Sequence, residues 1–401
     1  MTVLLTTLLA LLLLFLILQD AFEVMLLPRR VARRLRLVRV FFRLGWSVWS
    51  GLAARIPPGP GRERLLSVFG PLSMMALFSL WAVGFILSFG LLLWAAQDAG
   101  GPHPPNPLID QLYLSGVTFF TLGYGDIVPV NHSGRFLAIV EAGTGFSLIA
   151  MVISYLPVLY QLFARRETHV ILLDSRAGSP PTAGTLLRRH AGPGGPHQLD
   201  RLMQAWEIWA AELLESHMSY PMLAYYRSQH DNQSWLAAVA AVIDSCALIL
   251  VASPPDSPTA PSLLQARMTF AMLRQLLLEM TRSFDILPDR DAGTGRLDAA
   301  AYAHLAARIE SPGWTAAPDT EPLLAALRTT YEPLLSSLSS YLLVPLPGLF
   351  PDADADDHWD QGARGTLARR LIEELAARTD PDPTPGSVWR SVRSRLKLPP
   401  G

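Results

Sequence analysis

Three long stretches of the chain are dominated by apolar residues: 3–27, 71–96 and 134–163. Each is long enough to cross a bilayer as a helix, since about 20 residues rising 1.5 Å each cover the hydrocarbon core. The first is interrupted only by Gln19, Asp20 and Glu23. No basic residue precedes it and no small-residue cleavage site follows it, so the pattern predicts an uncleaved transmembrane helix rather than a secretory signal. Between the second and third stretches lies a shorter run, 107–119, of about a dozen residues. That is too few to span, so the run must enter the membrane and return on the same side. Beyond residue 198 the pattern changes to amphipathic helices separated by Pro, Gly and Asp. They are predicted at about 199–216, 234–252, 259–286, 296–310, 320–345 and 363–378.

Between the first and second spans, residues 28–66 carry Arg29, Arg30, Arg33, Arg34, Arg36, Arg39 and Arg43. At about 100° per residue, Val31, Leu35, Val38 and Phe42 fall in one stripe and the arginines cover the rest. This predicts an amphipathic helix on the anionic inner leaflet, with Arg30, Arg33, Arg36 and Arg39 towards lipid headgroups and Trp46 and Trp49 as interfacial anchors. Spacing at every third residue also suits a voltage sensor, but only one helix precedes it and a sensor needs acidic counter-charges on several. The arginine excess puts this segment inside, the N-terminus outside and the C-terminal part in the cytoplasm. The linker 97–107, free of basic residues, then lies on the outer face, and Arg165 and Arg166 close the third span on the inner face.

Half of the 401 residues are hydrophobic and 17% are charged, below the quarter usual in soluble proteins. The net charge of −1 gives no reason to expect a nucleic-acid partner. Cys246 is the single cysteine, so no disulfide within the chain and no cysteine-built metal site is expected. No nucleophile–base pair with recognisable spacing occurs, and no cofactor is called for, so the chain does not read as an enzyme.

The chemistry concentrates in Thr118–Asp126, T-F-F-T-L-G-Y-G-D. Gly123 and Gly125 supply backbone at positive φ, which alternated with L-residues turns successive carbonyls the same way. Thr121, Leu122, Gly123, Tyr124 and Gly125 can thus offer rings of oxygens to a dehydrated cation, with the Thr121 hydroxyl innermost. The stretch resembles the selectivity filter of the potassium channel family. Residues 67–163 resemble that family's pore module throughout: helix 71–96, pore helix and filter 107–126, inner helix 134–163. Asn106 and Pro107 read as the cap and first residue of the pore helix, whose C-terminal dipole favours a cation.

The resemblance implies further roles. Gly145 occupies the place where the family's inner helix bends on opening, with Gly143 close by; close helix packing is the alternative for both. Pro157 removes a backbone hydrogen bond and is a second candidate for the gate. Glu141, an acid in a membrane helix, faces the back of the filter, where Thr118 or Ser115 can donate to it; a pore-facing cation site is the other reading. Relatives carry an acid four positions before the first filter threonine, paired with the aspartate after the filter. Here that position is Val117, which leaves Asp126 without its usual partner.

Residues 164–198 read as a linker, beginning with a strand-like run, His169–Leu173. A nucleotide-binding domain is excluded, because Ser179, Pro180 and Pro181 stand where its G-x-G-x-x-G helix would begin. Residues 199–401 are expected to form a helical cytosolic domain of unknown ligand. Residues 236–251 are apolar enough for a fourth span, but Asp244 at the centre favours a buried bundle helix, with Arg227, His217 or Tyr225 as partners for Asp244, Glu212 or Glu215. A metal site from His217 and His230 has no matching spacing. The acidic run 352–360 lacks the glycine and glutamate of a calcium loop.

The expected protein is therefore an all-α membrane protein: an extra N-terminal helix (1–27), a basic segment (28–66), a potassium-channel pore module (67–163) and an α-helical cytosolic domain. One filter per chain implies a homotetramer in the plasma membrane, conducting K+ as the permeant ion and gated through the cytosolic domain. The alternatives are a non-selective cation channel or a non-conducting membrane-anchored sensor or adaptor.

Overall fold

The computed structural model describes residues 2–25, 37–97, 106–190, 194–230, 233–252, 263–289, 296–297 and 320–350, with Gly365, Leu367, Ala368, Arg370 and Leu371. Arg30, Arg33, Arg36, the acidic run 352–360, and most of the helices expected at 296–310 and 363–378 lie outside the described residues. Among the described residues the regular structure is helical throughout.

Helix α1 (Thr2–Met25) packs along α3 (Pro60–Ala95). Gly84 makes the approach possible, because a Cβ there would fall 2.3 Å from Ile17 Cδ1. The one buried acid of α1, Asp20, accepts from Trp81 Nε1 at 3.0 Å and from the Val38 amide at 3.3 Å. It therefore ties α1 to both following helices. Helix α3 begins eleven residues before the expected start at Pro71, since Pro60 takes the first-turn position and Pro71 lies inside the helix.

Helix α2 (Leu37–Ala53) departs further from expectation. Its stripe of Phe42, Trp46 and Ala53 is buried. Trp46, expected at the lipid interface, is 3% exposed, donates to Tyr341 O at 2.9 Å and packs on Phe69 and Tyr225. Trp49 donates to Leu65 O at 2.9 Å. A second stripe, Leu37, Val40, Leu44, Val48 and Leu52, is exposed. At about 100° per residue it runs along the opposite side, with Arg39 and Arg43 on one flank between the two. Proximity in sequence could not distinguish the stripe that meets protein from the one that does not.

The pore helix α4 (Leu108–Phe119) is followed by α5 (His132–Ala177), which is 46 residues long. Asn131 caps α5 by accepting from the Gly134 amide at 2.8 Å. Its side-chain amide donates to Ala96 O, fastening the end of α3 to the start of α5. Residues 169–173, expected as a strand, continue α5 because Val170 and Leu173 recur at helical spacing and are both buried. Within 164–198 the chain also forms α6 (Ala183–Arg189), and α7 begins at Gly195.

The C-terminal part comprises α6, α7 (Gly195–Ser219), a 3₁₀ turn (Pro221–Tyr225), α8 (Trp235–Ala252), α9 (Leu263–Phe284), α10 (Thr320–Arg328) and α11 (Glu332–Leu342). α8 is long and apolar enough to cross a membrane, as are α1, α3 and α5. It differs from those three in being enclosed on all sides by α5, α6, α9 and α10. Asp244 at its centre meets Arg296 at 2.8 Å, Arg328 at 2.9 Å and the Tyr331 hydroxyl at 2.6 Å. Glu332 closes the network with both arginines, at 2.7 and 2.9 Å. A buried carboxylate is tolerable only with such partners. The partners named from sequence are used elsewhere. Arg227 donates to Leu342 O, Tyr225 bonds Tyr341, Glu212 pairs with Arg165, and Glu215 accepts from Ser219.

Candidate functional site: the loop after the pore helix

α4 is wedged between α3 and α5 at two glycines. A Cβ on Gly90 would meet Leu112 Cδ2 at 2.6 Å and Leu112 Cα at 3.2 Å; one on Gly145 would meet the Phe119 carbonyl oxygen at 2.1 Å. Gly145 thus serves as the packing glycine that lets α5 touch the end of the pore helix. Gly143 has nothing within 4 Å. Pro157 lies inside α5 without ending it. Gly90 escaped the sequence reading because small residues in an apolar run carry no sign of which neighbour they admit.

The chain leaves α4 through three amides that satisfy its last carbonyls: Phe120 to Gly116 at 3.1 Å, Thr121 to Thr118 at 3.0 Å and Leu122 to Val117 at 2.8 Å. Then φ is positive at alternate residues: 56° at Thr121, 60° at Gly123 and 79° at Gly125. Left-handed residues alternating with ordinary ones are what the two glycines imply. The third such residue was not legible, because Thr121 is β-branched and disfavours this region. No atom lies within 4 Å of a Cβ built on Gly123 or Gly125, so backbone conformation and not space requires glycine there. Leu122 and Tyr124 are exposed in the protomer.

Behind this loop Glu141 is fully buried. Ser115 Oγ donates to Glu141 Oε1 and also lies 2.8 Å from Ile86 O. The partner is Ser115, not Thr118. One serine on α4 therefore links α3 and α5, while Glu141 Oε2 has no partner among the described residues. Asp126 is not unpartnered either, since the Tyr113 hydroxyl donates to its Oδ2 at 2.9 Å. Tyr113 stands one helical turn before Val117, so a longer side chain from the preceding turn reaches the aspartate that Val117 cannot.

Past the apolar part of α5, Arg166 is buried and donates to Leu223 O and Tyr226 O, both at 2.8 Å, while pairing with Glu167 at 2.9 Å. The turn 220–227 thereby becomes a wedge between the helices. Tyr226 lies against Gly70 of α3, Tyr220 against Tyr155 of α5, and Tyr225 against Trp46 of α2. His217, just before the wedge, lies with Nδ1 2.9 Å from Leu213 O and Nε2 3.5 Å from Arg166. Burial first, then the neighbouring Arg166 guanidinium, pull its pKa down to about 3.

Comparison with known proteins agrees with this geometry. A family model described as an ion channel matches residues 74–161. An uncharacterized membrane protein, YdjJ of Bacillus subtilis, is 26% identical over 202 residues, which are 48% of this chain and 56% of that one. Protein LctB of Geobacillus stearothermophilus is 35% identical over 20% of this chain and 71% of its own. Two-pore potassium channel 1 of Arabidopsis thaliana is 30% identical over 24% of this chain and 26% of its own. The chain thus spans about half of the first and a quarter of the last. No solved structure gives a significant match.

Proposed function

The chain belongs to the potassium channel family, and on that premise we propose that it conducts K+ selectively across the plasma membrane as a homotetramer. The observation that carries this reading is the alternation of left-handed φ at Thr121, Gly123 and Gly125 immediately after a short helix packed between α3 and α5. Carbonyls turned one way along such a loop can replace the hydration shell of a dehydrated cation, provided copies of the loop surround an axis. One loop per chain then requires four chains. Exposed Phe136, Ile139, Phe146 and Ile153 on α5 give each copy an apolar surface that lipid or its neighbours would cover.

The orientation follows from the arginines: N-terminus outside, α2 and the C-terminal helices inside. The second stripe of α2, with Arg39 and Arg43 beside it, suits an anionic inner leaflet. Glu141 braces the filter through Ser115, and Asp126 is held by Tyr113. The gate lies in the inner half of α5 near Pro157, and the 220–227 wedge, gripped by Arg166, carries the state of the cytosolic domain to it. The test is rubidium uptake into liposomes containing the purified chain, paired with cross-linking. Uptake by a species that cross-links to four supports the proposal, and a monomer or dimer that takes up nothing refutes it.

A further inference from the structure

A cavity of about 350 Å³ lies where the inner end of α1, α2, the turn after α7 and the end of α9 meet. Its size falls in the range of small-molecule sites. Three guanidiniums line it from two distant parts of the chain: Arg39 and Arg43 of α2, and Arg282 of α9. Arg43 and Arg282 make exposed ion pairs, with Asp285 at 3.1 Å and Glu279 at 2.8 Å. Single contacts of this kind leave most of each guanidinium's five donors available. Converging arginines match phosphate oxygens in a forked geometry. Asp20 and Glu23 line the same space and would repel a bare anion. A ligand carrying a cation beside its phosphate meets both sets. Tyr225 and Tyr341 add aromatic wall, against which an ammonium or a glycerol carbon can pack. Asp20 and Glu23 stand on the last turns of a helix long and apolar enough to span, and α2 carries its exposed apolar stripe next to them.

We propose that this cavity binds the headgroup of a zwitterionic phospholipid bearing a primary ammonium two carbons from its phosphate. Arg39, Arg43 and Arg282 take the phosphate, and Asp20 and Glu23 the ammonium. The inference rests on the orientation proposed above, which puts the inner end of α1 at the headgroup layer. Its wall includes Met222 and Tyr225 of the wedge, so occupancy reaches the turn that holds Arg166.

The test is native mass spectrometry of the full chain in detergent, titrated with short-chain phosphatidylethanolamine, phosphatidylcholine, phosphatidylglycerol and soluble phosphoethanolamine. Expected is one saturable phosphatidylethanolamine per chain, at least tenfold tighter than the choline and glycerol lipids. The double variant Arg39→Gln, Arg282→Gln should lose at least tenfold, and Glu23→Gln should erase the preference over phosphatidylglycerol. Equal binding of the three lipids by the unaltered chain, or undiminished binding by the double variant, overturns the site. Soluble phosphoethanolamine binding as tightly as the lipid overturns the lipid assignment. If the double variant does not fold, the preference series on the unaltered chain decides alone. Potassium flux from the same preparation separates the two readings. A chain that conducts but shows no preference sinks this inference only, and one that binds but does not conduct sinks the channel reading only.

Discussion

In the loop Thr121–Gly125, the cost of a side chain is conformational. Gly123 has φ near 60° and open space where a Cβ would stand, so alanine strains the backbone by about 1–2 kcal/mol without a clash. Gly123→Ala should therefore fold and assemble normally yet lose conduction; single-channel recording beside size-exclusion chromatography checks both halves. Gly123 and Gly125 were legible from sequence because φ preference is a property of the residue. The left-handed Thr121 was not, since only the surrounding packing can hold a β-branched residue there. Glu141 was legible as a buried acid, but its partner was a matter of rotamers. One Ser115 hydroxyl faces two acceptors, so the amide of Glu141→Gln, which can also donate, should conduct nearly as the unaltered chain does. Glu141→Ala leaves a void and should cost about 2–4 kcal/mol. Thermal denaturation of both variants tests the brace, and equal losses would speak against it.

For the elements, apolar length marked α1, α3 and α5 as helices, but neither where α3 begins and α5 ends nor what each face touches. A helical stripe predicts burial and leaves the identity of the neighbour open. Trp46 accordingly meets Tyr341 and Phe69 instead of lipid. Asp244 similarly marked α8 as a bundle helix, while its partners Arg296 and Arg328 lay too far along the chain to be assigned. Gly145 illustrates the same limit. A Cβ there would press on the backbone oxygen of Phe119, which cannot move aside as a side chain can. Gly145→Ala should lower stability by about 1–3 kcal/mol and loosen the pore helix, whereas Gly143→Ala should leave the melting temperature unchanged. Melting curves that rank the two variants the other way would return Gly145 to a purely flexing role. Orientation can be read at this scale too. Cysteine at Ser133 should react with an impermeant reagent in intact cells, and cysteine at Arg55 only after permeabilisation. Buried Cys246 should contribute little background.

On the scale of the whole molecule, the C-terminal part of α5 and the helices that follow it form one packed body around the 220–227 wedge. The sequence showed two regions and a linker between them, because α5 carries few cues beyond Phe163 except a helical recurrence of buried residues. The junction should be acid-sensitive. His217 is neutral when folded, with a pKa near 3 against about 6.5 when unfolded, so its contribution is fully present above pH 6.5 and is lost as pH falls. At pH 5 the loss is about 2 kcal/mol, and His217→Gln should flatten the decline in melting temperature between pH 7 and 5. Whether Thr121–Gly125 selects potassium is read from the reversal potential of the reconstituted chain with potassium on one side and sodium on the other. A potassium-selective loop gives a reversal close to the potassium equilibrium potential, collapsing towards zero when Tyr124 is replaced. A reversal near zero in the unaltered chain, or one indifferent to Tyr124, would contradict that selectivity.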